Sequence, residues 1–402
     1  MTDINYSKIY SYKTYKQCFL EEPAHKRIIS NIAKFIGLRM GLSYSNPNIS
    51  ACDILFLHSG GGIVQKRVNF FAERLKQRGF KIRHDSIHKA KKAIIHRLLK
   101  KPINSVPFEL SFHAAYAEYT IEKYQPKILL TFMDCDVISF FLKDKMKHYG
   151  KVINIAHGVS ANTHRHSMFD FDYLFLLGRS SLDNILKNPF RFGNTKAVLS
   201  GSIFVGEYFS LPPNKEMKNI LFFSSWIPGE SREIVLKNFS IVADYARHHK
   251  EYDFFIKLHP LENPSIWEKK AKDINNIQIL AQNIEMKEAL NCVSLVLHQW
   301  SNASIEAALL NRPSISVDVR DTPDNYLLYN CFFTPKATNV SELHERINEV
   351  FENYDHYLKQ CDAYASYHLE HRYAVDYICD CIESIYHGRE DFPVHIINET
   401  GF

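Results

Sequence analysis

The 402-residue sequence has no long hydrophobic run, no CxxC pair and no large excess of either charge, and each absence excludes a class of protein. Its densest apolar stretch, "FDYLFLLG" (171–178), is far shorter than the ~20 residues a membrane-spanning helix needs. The opening "MTDINYSKIYSYKTYKQ" lacks the apolar core of a secretory signal. Eight cysteines are scattered, and only Cys379 and Cys381 stand close together, so reduced thiols fit better than disulfides or a zinc site. The 49 Lys and Arg outnumber the 44 Asp and Glu by five, too mild a basic balance to argue for nucleic acid. There is no repeat of solenoid length and no low-complexity tract. "GGGIVQKR" is neither a GxGxxG fingerprint nor a Walker A loop. A soluble, cytoplasmic chain without a nucleic-acid partner is expected.

What is present is alternation. The apolar fraction is 46 % and the charged fraction 23 %, ample for two cores in a chain of this length. "AHKRIISNIAKFIGLRMG" (24–41) reads as a helix, "DILFLHSGGG" as a strand entering a glycine turn, and "VNFFAERLKQRGF" as a helix with its glycine stop. "PKILLTFMDCD", "KVINIAHG" and "DYLFLLG" are further strands. The polar, proline-bearing "SLPPNKEMKN" (210–219) suits a linker. After it, strand and helix alternate again: "NILFFSSW", "SREIVLKNFSIVADYARHH", "YDFFIKLHP", "SIWEKKAKDI", "IQIL", "MKEALNCV", "LVLHQW", "SNASIEAALLNR" and "PSISVDV". Such alternation implies parallel sheets covered on both faces. The expected architecture is α/β: a Rossmann-like domain over 1–211, a second over 217–340 across a central cleft, and helices over 341–402 packing back across both.

Two Rossmann-like halves joined by such a linker resemble the plan of GT-B glycosyltransferases. "FIKLHP" (255–260) resembles the histidine-proline motif of bacterial sialyltransferases and polysialyltransferases, and that of the CDP-glycerol glycerophosphotransferases that polymerise teichoic acid. "WSNASIEAALLNRPSI" resembles the serine-bearing helix start of those families, "NILFFSSW" their first C-domain strand, and "NIAHGV" their N-domain histidine-glycine element. The resemblance spans roughly residues 52–320. It departs at "MDCDV", where polysialyltransferases place a glycine after the acids, and at "HGVSANTHR", where glycerophosphotransferases continue differently.

A leaving nucleotide carries negative charge that the site must neutralise. A helix start after a strand offers free N–H groups and a positive dipole end. Ser301 is a natural N-cap there and Ser304 lies one turn on; both hydroxyls could reach a phosphate, and plain capping is the alternative. The resemblance gives Glu306 the ribose hydroxyls. His259 could donate to the leaving phosphate, with Pro260 fixing the backbone beyond it. Lys257, two residues back on one strand face, could add charge or merely snorkel. Ser224 and Ser225 follow the first strand of the second domain and could touch the donor.

The acceptor hydroxyl needs a general base, and Asp134 and His157, at strand ends of the first domain, are level candidates. Asp136 could contact the acceptor or cap a helix. Gly60, Gly61 and Gly62 could bring backbone N–H groups to an acceptor or form a bare turn. "DCD" also matches the metal-binding DxD of GT-A enzymes, but the second alternation does not suit their single Rossmann-like domain. No metal and no cofactor are expected. "KAKKAIIHRLLKK" (89–101) could lie on anionic membrane, or be the solvated face of a packed helix. The resemblance implies a capsule or lipopolysaccharide transferase using a CMP-activated acidic sugar, a sialic acid or Kdo, and a glycan or lipid-linked acceptor. A CDP-glycerol-type polyol-phosphate transferase, or a UDP-sugar transferase or 2-epimerase, is the alternative.

Overall fold

The computed structural model describes residues 48–58, 62–86, 98–100, 106, 110–132, 137–167, 169–205, 211–225, 232–260, 262–299, 301–320 and 336–400. The helix read over 24–41 lies outside them. They fall into two compact units, one reaching Phe204 and resuming at Glu370, the other spanning Val205–Leu369.

Unit 1 is built on a seven-stranded sheet. Its strands are β1 (Ile54–His58), β2 (Ile82–Ser86), β3 (Ile128–Thr131), β4 (Lys151–Ile155), β5 (Tyr173–Leu176), β6 (Thr195–Leu199) and β12 (His395–Ile397). The order is β12-β6-β5-β4-β3-β1-β2, parallel except for β12. Helices α1 (Gly62–Gln77), α2 (Ser111–Tyr124), α3 (Ile138–Met146), α4 (Arg179–Lys187) and α11 (Ala374–Tyr386) belong to this unit. Strands such as "ILLT" and "YLFL" are almost wholly apolar because helices cover both faces, and all four residues of each are buried. Phe56, Ile128, Ile153 and Phe175 pack with Phe71 and Leu75 of α1 and Ile378 and Ile382 of α11. Burying each such side chain contributes roughly 1.5–3 kcal/mol. Past β6, Gly201 has φ +76, and a Cβ there would stand 2.2 Å from the carbonyl oxygen of His371, so only glycine fits.

Unit 2 carries a five-stranded parallel sheet ordered β11-β10-β7-β8-β9. These strands are β7 (Asn219–Phe223), β8 (Asp253–Lys257), β9 (Ile277–Ile279), β10 (Leu295–His298) and β11 (Ser314–Ser316). They alternate with α5 (Arg232–His248), α6 (Pro264–Ala271), α7 (Met286–Asn291) and α8 (Ala303–Leu309), followed by α9 (Val340–Glu352) and α10 (Tyr354–His368). Leu221, Phe223 and Val296 pack on one face with Ala307 and Leu290. Phe222 lies against Phe239 and Trp267, with ring centroids 5.9 and 6.3 Å away.

Both sheets are doubly wound, as the alternation implied. In unit 1 the chain steps from β1 outward to β2 and then to β3 on the other side. In unit 2 it runs β7-β8-β9 before crossing to β10. Ligands of open α/β sheets sit outside the strand carboxyl ends at such reversals, here between β1 and β3 and between β7 and β10.

Candidate functional site

The edge of unit 2 gathers half of the residues singled out for donor binding: Ser224, Ser225, His259 and Pro260. Phe223 pairs with Lys257, and Phe222 with Leu297, so Ser224–Ser225, Leu258–Pro260 and the residues after His298 leave the sheet side by side. Two short hydrogen bonds tie these loops together. The His259 N–H donates to the Ser224 Oγ at 2.8 Å, and the Ser225 hydroxyl donates to the Gln299 carbonyl. Ser224 is buried, so its hydroxyl joins two strand ends.

His259 begins a tight turn. The N–H of Glu262 donates to the His259 carbonyl at 2.8 Å, placing Pro260 at the second turn position, where its fixed φ is favoured. Both backbone groups of His259 are therefore held. Its ring is half-buried, and that burial lowers its pKa below the ordinary histidine value while the Glu262 carboxylate opposes the fall. Glu262 is itself buried and accepts from the Trp267 indole N–H at 3.1 Å.

The other candidates separate. Lys257 directs its ammonium to the Ile284 carbonyl at 3.0 Å; burial lowers its pKa, opposed by Glu306 and Glu285. Ser301 does cap α8, its Oγ accepting from the Ala303 N–H at 3.2 Å, although Asn302 stands next to the helix. Ser304 is fully buried: its hydroxyl donates to the Ser301 carbonyl at 2.9 Å and lies 2.9 Å from the Tyr364 hydroxyl. It packs α8 on α10, a role the phosphate-binding reading did not include. Glu306 is half-buried within α8.

The unit 1 edge carries the base candidates. His157 follows β4 and is exposed. Its loop is gripped by α4, where Ser181 Oγ accepts from the Ser160 N–H at 3.1 Å and the Asn184 amide donates to the Ser160 carbonyl at 2.9 Å. Gly62 opens α1. Gly60, Gly61, Asp134 and Asp136 lie outside the described residues, as do 89–97 of the basic segment. Among the described residues, no group of three or more His, Cys, Asp or Glu could hold a metal ion, and no helix is long and apolar enough to cross a membrane.

Several buried polar residues escaped the sequence reading. Besides Glu262, His298 at the end of β10 is 1 % exposed, and burial takes its pKa down to about 4. Asp85 on β2 accepts from the Tyr124 hydroxyl at 2.9 Å, and Asp318 after β11 pairs with Arg320 at 3.2 Å. Only "HPLE" offered a signal, since a carboxylate three residues past a histidine-proline step falls at the end of a proline turn.

No family model matches this sequence, and no curated protein matches it. The fold does have counterparts among solved structures. A co-structure of S. aureus MnaA with UDP is similar with a TM-score of 0.55 at 13 % identity, over 85 % of this chain and 99 % of that one. The UDP-GlcNAc 2-epimerase of Neisseria meningitidis bound to UDP-GlcNAc gives 0.52 at 13 %, over 84 % and 100 %. The wall teichoic acid polymerase TagF soaked with CDPG gives 0.51 at 13 %, over 90 % and 98 %. The fold is thus α/β of the GT-B type.

Proposed function

We propose that this protein is a metal-independent GT-B transferase of bacterial surface-polysaccharide synthesis. It takes a cytidine-nucleotide donor, a CMP-activated acidic sugar such as a sialic acid or Kdo, and passes the sugar to a hydroxyl of a glycan or glycolipid. The observation that carries this reading is His259, held at both its N–H and its C=O in a proline turn beside the strand reversal of unit 2. A donor group fixed before the reaction stabilises developing charge without reorganising. In this scheme His259 donates to the leaving phosphate, the Ser301 helix start and the Ser224–Ser225 loop line the donor, and Glu306 meets the ribose. His157 or Asp134 deprotonates the acceptor, with Gly60–Gly62 and Asp136 on the acceptor side. Cytidine rests on the resemblance of the histidine-proline motif. The protein would act in the cytoplasm, with the basic segment 89–101 meeting the anionic inner face of the membrane; that part rests on sequence alone.

A second reading is favoured by two of the similar structures, whose names carry UDP and UDP-GlcNAc: a UDP-sugar enzyme of the 2-epimerase type. A polyol-phosphate transferase is the third, in line with the TagF likeness. Thermal unfolding with CMP, CDP, UDP and GDP, with and without divalent metal, separates them. A ligand present at 100 times its Kd stabilises the native state by about 2.7 kcal/mol. Stabilisation by CMP without metal is the expected result. A response to CDP alone favours the polyol-phosphate reading, a response to UDP alone favours the epimerase reading, and no response to any nucleotide overturns all three.

A further inference from the structure

Gln299 and Asn238 bring two buried side-chain amides between the unit 2 sheet and α5, and the transfer scheme above uses neither. Both residues are 0 % exposed. Gln299 follows His298, the last residue of β10, so it stands at the carboxyl edge beside the strand reversal. Side chains alternate along a strand. Val296 packs with Ala307 and Leu290, so Leu297 and Gln299 turn to the opposite face, where the Gln299 amide donates to the Val235 carbonyl of α5 at 3.3 Å. The main-chain carbonyl of Gln299 accepts from the Ser225 hydroxyl in the loop after β7. One turn along α5, Asn238 Oδ1 accepts from the Val319 N–H past β11 at 2.9 Å. The ends of β10 and β11 are thus both tied to α5 through buried amides.

Stability does not account for Gln299. Its neighbours on this face are apolar: Leu297 and Phe222 on paired strands, Val235 and Phe239 on α5, all 0 % exposed. Among the described residues, Gln299 Oε1 and Asn238 Nδ2 are buried without a hydrogen-bond partner. A buried amide met at only one end is less favourable than an apolar side chain of the same shape. Departures of this kind belong where a function overrides the local rules. We infer that Gln299 is a positioning residue of the donor edge. It locks the loops after β7 and β10 to α5, and so sets where Ser225 and the Ser301 helix start stand. This deepens the donor-site reading above and rests on it for its functional meaning. Loops fixed before the ligand arrives bind it without the entropy loss of being ordered.

The test is Gln299→Met, which keeps the length of the side chain and removes both amide atoms. Hydrogen exchange of the full chain, read by mass spectrometry on peptides covering 219–225 and 299–304, needs no ligand. Exchange there should rise about fivefold for the loss of one hydrogen bond. Peptides of the unit 1 strands should keep the wild-type rate, and the melting temperature should be no lower. Unchanged exchange in the two peptides overturns the inference. So does a rise spread evenly over unit 2 with a lowered melting temperature, which would make Gln299 an ordinary packing residue. Should Gln299→Met fail to fold, Gln299→Asn serves: it draws the amide back from Val235 by one methylene, so the same local rise supports the inference and no rise overturns it. In a wild type that binds CMP, Gln299→Met should also raise the Kd about fivefold although stability is retained. An unchanged Kd overturns the positioning role. A local rise in a protein that binds no nucleotide would leave the Gln299 lock standing and remove the transferase reading.

Discussion

His157 and His259 occupy matching places, each a step or two past the end of a parallel strand, yet the two units hold them differently. His157 is exposed, and its loop is anchored three residues on, where Ser181 and Asn184 of α4 grip the backbone of Ser160. His259 is half-buried, with its own N–H and C=O engaged and a buried carboxylate behind the turn. The difference suits the two roles proposed for them. A base that exchanges protons with an acceptor and then with water needs access. A group that meets a phosphate benefits from a fixed backbone and a drier setting, where electrostatic interactions are stronger.

Two titrating groups, one in each unit, also differ, and acid should separate them. His298 in unit 2 has its pKa taken from 6.5 down to about 4 by burial. The unfolded chain then binds the extra proton between those values, so the stability conferred by a neutral His298 is complete above pH 6.5 and is lost as pH falls towards 4. At about 1.4 kcal/mol per pKa unit the loss approaches roughly 3 kcal/mol. Asp170 in unit 1 behaves in the opposite sense: burial raises its pKa against the pull of Lys143, so protonation on acidification relieves a cost. Trp226, Trp267 and Trp300 all fall within Val205–Leu369, so tryptophan fluorescence follows unit 2 alone. The stability measured by fluorescence should fall between pH 6.5 and 4, and His298→Leu should flatten that slope. An unchanged slope in the variant would assign acid sensitivity to other groups.

The loop clamps give a smaller and sharper contrast. Ser224→Ala leaves the His259 N–H without its acceptor, and Ser181→Ala does the same to the Ser160 N–H. Each should cost about 1–3 kcal/mol, the price of a buried unmet donor. Because fluorescence reports unit 2, Ser224→Ala should shift the fluorescence-detected transition. Ser181→Ala should shift far-UV circular dichroism instead. Equal shifts in both probes for both variants would mean that the units unfold as one.

Much of this was legible in the sequence because a strand covered on both faces must be apolar along its length. "ILFL", "YLFL" and "LVL" could hardly be anything else, and each ends where its parallel neighbours end. β2 was not read as a strand because it is an edge strand, "IRHDS", with a polar and partly exposed pattern. The three-residue β12, "HII", was missed within a tail that looked helical. The histidine-proline step announced a strand end, but Glu262 acquires its meaning only from Trp267 and Gln282, partners in other elements. Ser304 shows a partner that spacing does not reveal. Its place one turn into α8 suggested a phosphate contact, and its hydroxyl lies against that of Tyr364, sixty residues away in the chain. Local pattern reveals which strand ends exist, and tertiary packing decides which way their side chains face.

We propose that the strand-end residues divide the labour, His259 on the donor and His157, level with Asp134, on the acceptor. Nucleotide titration calorimetry of wild type, His259→Ala and His157→Ala, each checked for native unfolding, tests it most directly. CMP binding should be weaker in His259→Ala, by about tenfold for the loss of one charge-assisted hydrogen bond, and unchanged in His157→Ala. CMP binding unchanged by His259→Ala, or lost in His157→Ala, would contradict it.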